Sequence, residues 1–127
     1  MTQRATGTFD VVMRAGPGEC DDQINRFELS KTFHGDLQGT GSGVMLSSGD
    51  PHAGEAGYVA IEVVRGELAG RHGSFAMMQL GSMHAGASEL DYEVVPGSGG
   101  GDLAGIVGTL HLDIDDGIHH YELRYDL

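Results

Sequence analysis

The sequence predicts an all-β fold: an eight-stranded antiparallel up-and-down β-barrel with at most one short helical turn. Three observations predict it. Apolar residues recur with period two along most of the chain, the pattern of strands with one buried face. Turn-forming clusters rich in glycine separate these stretches at short intervals, which suits a meander of hairpins. Glycine supplies 22 of 127 residues, too many for regular helices but suited to strand ends where a sheet bends and closes. Closure also removes the exposed edges of an open sheet.

Taken in order, Phe9, Val11 and Met13 alternate with Asp10 and Arg14, and Phe27, Leu29 and Phe33 with Arg26, Glu28 and Thr32. Val59, Ile61 and Val63 follow, then Phe75, Met77 and Gly81, then Leu90, Tyr92 and Val94. Leu110, Leu112 and Ile114 precede a last run of Tyr121, Leu123, Tyr125 and Leu127. Turn clusters stand at Ala15 to Gly18, Gly35-Asp36, Ser48 to Pro51, Ala69-Gly70, Ala85-Gly86, Pro96 to Gly101 and Asp116-Gly117. The whole chain, 1–127, is expected to form one barrel domain. The one helical turn is expected at Asp102-Leu103-Ala104-Gly105, with Asp102 as its cap and Gly105 as its stop. Asp116-Gly117 between alternating residues is a strong two-residue hairpin signal. It pairs Asp115 with Ile118, Ile114 with His119, Asp113 with His120 and Leu112 with Tyr121. Leu110, Leu112, Ile114, His119, Tyr121, Leu123 and Tyr125 then share the core face.

Charge and composition exclude several classes of function. A formal net charge of −12, from 19 acidic and 7 basic side chains, repels phosphate, so neither nucleic acid nor an anionic membrane is an expected partner. The basic residues (Arg4, Arg14, Arg26, Lys31, Arg65, Arg71, Arg124) are scattered. No apolar run reaches the roughly eighteen residues of a membrane helix. The N-terminal residues lack the pattern of a secretory signal, so the cytoplasm is the expected compartment. A single cysteine, Cys20, excludes an internal disulfide and a multi-cysteine zinc site. Its acidic neighbours Glu19, Asp21 and Asp22 disfavour a thiolate, which makes it a poor nucleophile.

Candidate chemistry is sparse. His111, Asp113, His120 and Glu122 are cross-strand neighbours on one face, but that face is the solvent side and such groups pair without a metal. No metal or other cofactor is expected. His34, His52, His72 and His84 adjoin turns and read as surface residues. His119 lies on the apolar face, where a satisfied neutral imidazole competes with an acid–base role. The glycine-rich stretch from Pro96 to Gly105 lacks the lysine and hydroxyl of a phosphate loop and reads as a crossover. Glu62, between Ile61 and Val63, is the one carboxylate in a strongly apolar strand. Facing inward it needs a partner or a raised pKa, as catalytic acids and bases have; facing outward it pairs with Arg65 or a neighbouring strand. Gln79 interrupts the apolar face of Phe75, Met77 and Met83. Tyr92 and Tyr125 stand on core faces, where a hydroxyl either packs with one partner or meets a ligand.

Three motifs carry a family resemblance. Lys31-Thr32-Phe33-His34-Gly35-Asp36-Leu37-Gln38-Gly39 resembles a K-x-F-x-G-D-L-x-G pattern. Gly66 to Phe75 resembles G-x-L-x-G-R-x-G-S-F, and Val94 to Gly105 resembles V-V-P-G-S-G-T-G-x-L-x-G. In this order they resemble an uncharacterised family of small bacterial proteins with an allene oxide cyclase-like β-barrel, over Thr6 to the C-terminus. The resemblance implies an eight-stranded barrel with an apolar interior, often oligomeric. Its wider kin include plant allene oxide cyclase, dirigent-like proteins and bacterial cyclases, which hold a reactive flexible substrate in one pose. The chain departs from the pattern at Gln79, where histidine is usual, at Tyr92, where tryptophan is usual, and at Gly100-Gly101. Glu62 matches the strand glutamate of the pattern.

Two functions follow as expectations. In the first, the barrel binds a small apolar molecule and isomerises or cyclises it by pre-organisation, with Glu62 as acid or base and Gln79, Tyr92, His119 and Tyr125 lining the site. In the second, the barrel is non-catalytic and its outer surface mediates homo-oligomerisation or protein contact. Met77, Met78 and Met83 and the two-faced apolar strand 58–64 suit that role. An internal cavity of a few hundred cubic ångströms favours the first, a packed interior the second.

Overall fold

A computed structural model describes residues 2–17 and 21–127; Cys20 lies outside them. The strands are β1 (Gln3–Ala15), β2 (Asn25–Gly35), β3 (Leu37–Asp50), β4 (Glu55–Leu68), β5 (Arg71–His84), β6 (Ala87–Val94), the two-residue β7 (Gly100–Gly101), β8 (Val107–Asp115) and β9 (Ile118–Asp126). Each long strand pairs antiparallel with its neighbours, in the cyclic order β1-β2-β3-β4-β5-β6-β8-β9, and β9 returns to β1. The eight long strands form a closed barrel, as the alternation and turn spacing predict. No helix is long and apolar enough to cross a membrane.

Local chemistry explains the hairpins. Ala69-Gly70, Ala85-Gly86 and Asp116-Gly117 each carry two successive positive φ angles. That is the two-residue turn whose twist matches the flanking strands. The register of β8 and β9 is the one read from Asp116-Gly117, with Ile114 opposite His119 and Leu112 opposite Tyr121. The helical turn falls elsewhere than expected. Pro51–Ala53 forms a 3-10 turn, capped by Asp50, whose Oδ1 accepts from the His52 amide at 2.9 Å. Residues 102–105 form hydrogen-bonded turns instead, because β7 binds to β5 and diverts the chain before a helix can propagate.

β3 has no apolar alternation to announce it. Its inward positions include Gly39, Gly41 and Gly43, which pair with β2 on one side and β4 on the other. β4 inverts the simple reading of its hydrophobicity. Val59, Ile61 and Val63 point outward and are exposed, while Ala60, Glu62 and Val64 point in and are buried. The apolar neighbours around Glu62 belong to the outer face.

The core is Phe9, Phe33, Leu37, Val64, Leu68, Phe75, Met77, Tyr92, Val94, Leu103, Ile106, Leu110, Tyr121, Leu123 and their neighbours. The barrel ends differ. At one end Leu37, Leu68, Leu103 and Ile106 are fully buried and form a plug. Ser98 anchors the crossover beneath it: its Oγ accepts from the Ala76 amide at 2.9 Å and donates to the Val95 carbonyl at 2.6 Å. The glycine-rich stretch is thus a structural crossover. Toward the other end the inward residues Phe27, Met45, Tyr58, Gln79, Met83, Leu112 and His119 are only half-buried, and Met13, Leu90 and Ile114 are exposed. The first end is sealed; the second admits solvent.

Candidate functional site

Between the plug and the open end lies a cluster of three ionisable side chains. The only lysine of the sequence, Lys31, stands on β2 between Leu29 and Phe33 at inward parity, and its side chain is 4% exposed. Glu62 reaches it from β4 with a side chain 1% exposed. Lys31 Nζ lies 3.2 Å from Glu62 Oε1 and 3.0 Å from Oε2. It also donates to the Tyr92 hydroxyl at 2.9 Å. Tyr92, from β6, donates in turn to Glu62 Oε1. The ammonium sits 4.6 Å from the centre of the Phe9 ring and 5.2 Å from that of Tyr92, within the range of cation–π attraction. Glu62 Oε2 is within ion-pair distance of Lys31 yet accepts no well-directed hydrogen bond.

Burial sets the proton affinities. It pulls the Lys31 ammonium below its ordinary value, an effect opposed by the adjacent Glu62 carboxylate. Burial, then the Glu62 charge, pushes the Tyr92 phenol well above its ordinary range, so it remains a proton donor. Tyr58 is raised for the same two reasons. The arrangement is therefore an amine, a phenol and a carboxylate in one closed proton circuit, walled by aromatic rings. Perturbed groups gathered in this way are the usual mark of a reactive site.

The other expected site residues are placed unequally. Gln79 points into the barrel opposite Tyr92 in register, one step toward the open end, and its Oε1 accepts from the Tyr58 hydroxyl at 3.0 Å. The Tyr58 ring lies over Gly81, where an added Cβ meets it at 2.1 Å. His119 packs on Phe9 with ring centres 5.0 Å apart. Burial and then the charge of Lys31 lower its pKa, so the imidazole is held neutral. Tyr125 is buried on the plug side of Tyr121 and Leu123, and none of the hydrogen bonds of the cluster reaches it. Sequence reasoning did not place Lys31 or Tyr58 in the site. The available signal was parity, since Lys31 occupies an apolar position of β2.

His111, Asp113, His120 and Glu122 are neighbours on the outer face as expected. The Glu122 carboxylate is taken by Arg124 at 2.6 Å and Arg4 at 3.0 Å. Among the described residues no group of three His, Cys, Asp or Glu side chains is arranged to hold a metal ion. A recess of about 620 Å³ lies on the outer face of β3 to β6. It is lined by Val44, Leu46, Val59, Ile61, Met78 and Leu80, together with Ala60, Gln79 and the acidic Asp91 and Glu93. The interior around the cluster is packed with side chains, the condition that favours a non-catalytic barrel, and a molecule entering from the open end must displace Tyr58, Gln79 or His119.

Among curated proteins there is no match. A solved structure from Shewanella oneidensis MR-1, described as a protein of unknown function from the DUF3224 family, is 39% identical to this chain. The similarity covers 100% of this chain and 98% of that one, with a TM-score of 0.91. The family model described as "Protein of unknown function (DUF3224)" matches residues 5–125. On the match of that model over nearly its full length, the chain belongs to the DUF3224 family.

Proposed function

We propose that the barrel binds a small, largely apolar molecule through its open end, over the Lys31–Glu62–Tyr92 cluster, with isomerisation or cyclisation as its chemistry. The observation that carries this reading is a buried, mutually bonded amine, phenol and carboxylate at the base of the half-buried end. A fold needs no such group for stability, since apolar residues of similar volume serve as well or better. Glu62 is the acid–base group and Tyr92 the proton donor, while Phe9, Tyr58, Gln79 and His119 shape the bound conformer. The likeness to allene oxide cyclase barrels adds support through the sequence motifs alone.

The test uses an uncharged apolar fluorophore, 1-N-phenylnaphthylamine, titrated into the protein and two variants. Leu112→Trp fills the half-buried inward side of the open end, and Ile61→Ser alters the outer recess. Binding lost in Leu112→Trp and kept in Ile61→Ser supports the interior site. The reverse pattern places the fluorophore in the outer recess and overturns the reading.

The outer recess favours a second role beside the first. Val59 with Leu80 and Ile61 with Met78 form adjoining cross-strand pairs, continued by Val63, with Ile61 55% and Leu80 58% exposed. Contiguous apolar surface of this kind marks association sites, and a second copy of the chain is the proposed occupant. Sedimentation of the wild type and Leu80→Lys tests it. A dimer or larger species that dissociates in the variant supports association through this face, and a monomeric wild type removes it.

A further inference from the structure

The interior holds a nucleophile as well as an acid–base pair. We propose that Lys31 is an imine-forming amine, and that the small apolar molecules accepted by the barrel are aldehydes or ketones. This deepens the interior-site reading and rests on it.

Three observations lead here. The single lysine of a chain with net charge −12 is spent inside the barrel, where it contributes nothing to solubility. Its Nζ is within 3.2 Å of both a carboxylate and a phenol, the two kinds of group that imine formation requires. Finally, Glu62 Oε2 stands 3.0 Å from Lys31 Nζ without a well-directed hydrogen bond, so a carboxylate oxygen faces the nitrogen whose protons imine formation must remove. Burial also favours the free base of the amine, as it does for Schiff-base lysines generally.

The step balances without any further reactant. Glu62 takes one proton from the Lys31 ammonium, and the freed Nζ lone pair attacks the carbonyl carbon, forming the C–N bond. The π pair of the carbonyl moves to its oxygen, which takes the proton of Tyr92. Glu62 returns its proton to the Tyr92 phenolate along their hydrogen bond and accepts the one now released from nitrogen. In a second turn Tyr92 protonates the hydroxyl as it leaves, Glu62 restores the phenol, and the nitrogen keeps its last proton as an iminium. One C=N bond replaces C=O, one water departs, Tyr92 and Glu62 are back in their starting states, and the charge of the ammonium is carried by the iminium. The iminium then acts as an electron sink, so that loss of an α-proton to Glu62 gives a neutral enamine. Isomerisation and ring closure both proceed from an enamine.

Benzaldehyde with sodium cyanoborohydride at neutral pH tests the proposal, because reduction of the imine leaves a stable benzyl adduct. Intact mass and peptide mapping locate it. The expected result is one adduct on Lys31, formed faster in the folded protein than in urea, since burial raises the share of free amine. Tyr92→Phe should slow trapping, because the hydroxyl of the adduct then lacks its proton donor. If the fluorophore binds but Lys31 is never trapped, or is trapped no faster than in urea, the amine is structural and the carbonyl proposal fails while the binding site stands. If neither binds, the interior site itself fails. An adduct that persists in Lys31→Arg belongs to the N-terminal amine and also overturns the assignment.

Discussion

Lys31 and Glu62 meet across a strand that lies between them. Lys31 is on β2 and Glu62 on β4, and the inward positions of the intervening β3 are Gly41, opposite Lys31, and Gly43, opposite Glu62. With no side chain from β3 in the way, the ammonium and carboxylate close to 3.0 Å. An added Cβ at Gly41 would stand 3.3 Å from Glu62 Oε2, 3.4 Å from Lys31 Cβ and 3.2 Å from the Phe33 ring.

Gly41→Val therefore places two methyl groups where the ion pair forms. Overpacking of a tight interior costs about 1–3 kcal/mol, and the expected loss lies in that range by urea denaturation. The same variant should abolish any reaction at Lys31. A variant as stable and as reactive as the wild type would show that β3 does not gate the pair.

Breaking the pair from one side is expected to cost more than removing it whole. Lys31→Met or Glu62→Leu alone leaves an uncompensated buried charge, at about 3–5 kcal/mol. Combining the two replaces the pair by apolar groups and should recover most of that loss, with the Tyr92 hydroxyl still unpartnered at about 1–3 kcal/mol. Adding Tyr92→Phe removes this last penalty. The expected stability order is triple variant above double, and double above either single. Additive losses in a denaturation series would mean that the three groups are not coupled.

How much of this was legible beforehand depended on which residue held the inward positions. β9 shows Tyr121, Leu123 and Tyr125 at period two, and the Asp116-Gly117 turn sets its register with β8, so both strand and pairing could be read. β3 could not be read as an apolar strand, because Gly39, Gly41 and Gly43 occupy its interior face and glycine gives no hydrophobic signal. β4 showed apolar residues on both faces, which left the direction of Glu62 open. The outward Val59, Ile61 and Val63 carry the stronger signal, and only the pairing with β3 and β5 turns Glu62 inward. Lys31 escaped notice as a site residue for a related reason. A charged residue at core parity is ordinarily discounted, and its partners come from strands 31 and 61 residues further along the chain.

The turns offer a prediction independent of the site. Ala69 and Ala85 adopt φ of 50° and 51°, a left-handed conformation that costs an L-residue with a Cβ about 1–2 kcal/mol. Asparagine tolerates this region better and precedes glycine in the preferred two-residue turn. Ala69→Asn and Ala85→Asn should each raise stability by about 0.5–1 kcal/mol, visible as a higher urea midpoint with unchanged slope. No gain at either position would mean that these alanines relieve their strain elsewhere.

Alkaline pH should unfold the protein through its tyrosines. Tyr58, Tyr92 and Tyr121 all have folded pKa values raised above the ordinary 10.0, first by burial. For Tyr58 and Tyr92 the Glu62 charge adds to the shift. A phenol that ionises more readily unfolded than folded has its stabilising effect intact below the unfolded pKa, and loses it as pH rises toward the folded one. Lys31 acts in the opposite sense. Its folded pKa lies below the ordinary 10.5, so stability grows as pH climbs from that lowered value toward 10.5 and gains nothing beyond. Three phenols outweigh one amine, and the net expectation is a flat or gently rising stability to about pH 10 with a steep fall above it. Urea midpoints across this range measure the curve. A fall that becomes shallower in Tyr92→Phe assigns part of it to the cluster, whereas an identical fall in that variant would leave it to Tyr58, Tyr121 or groups beyond them.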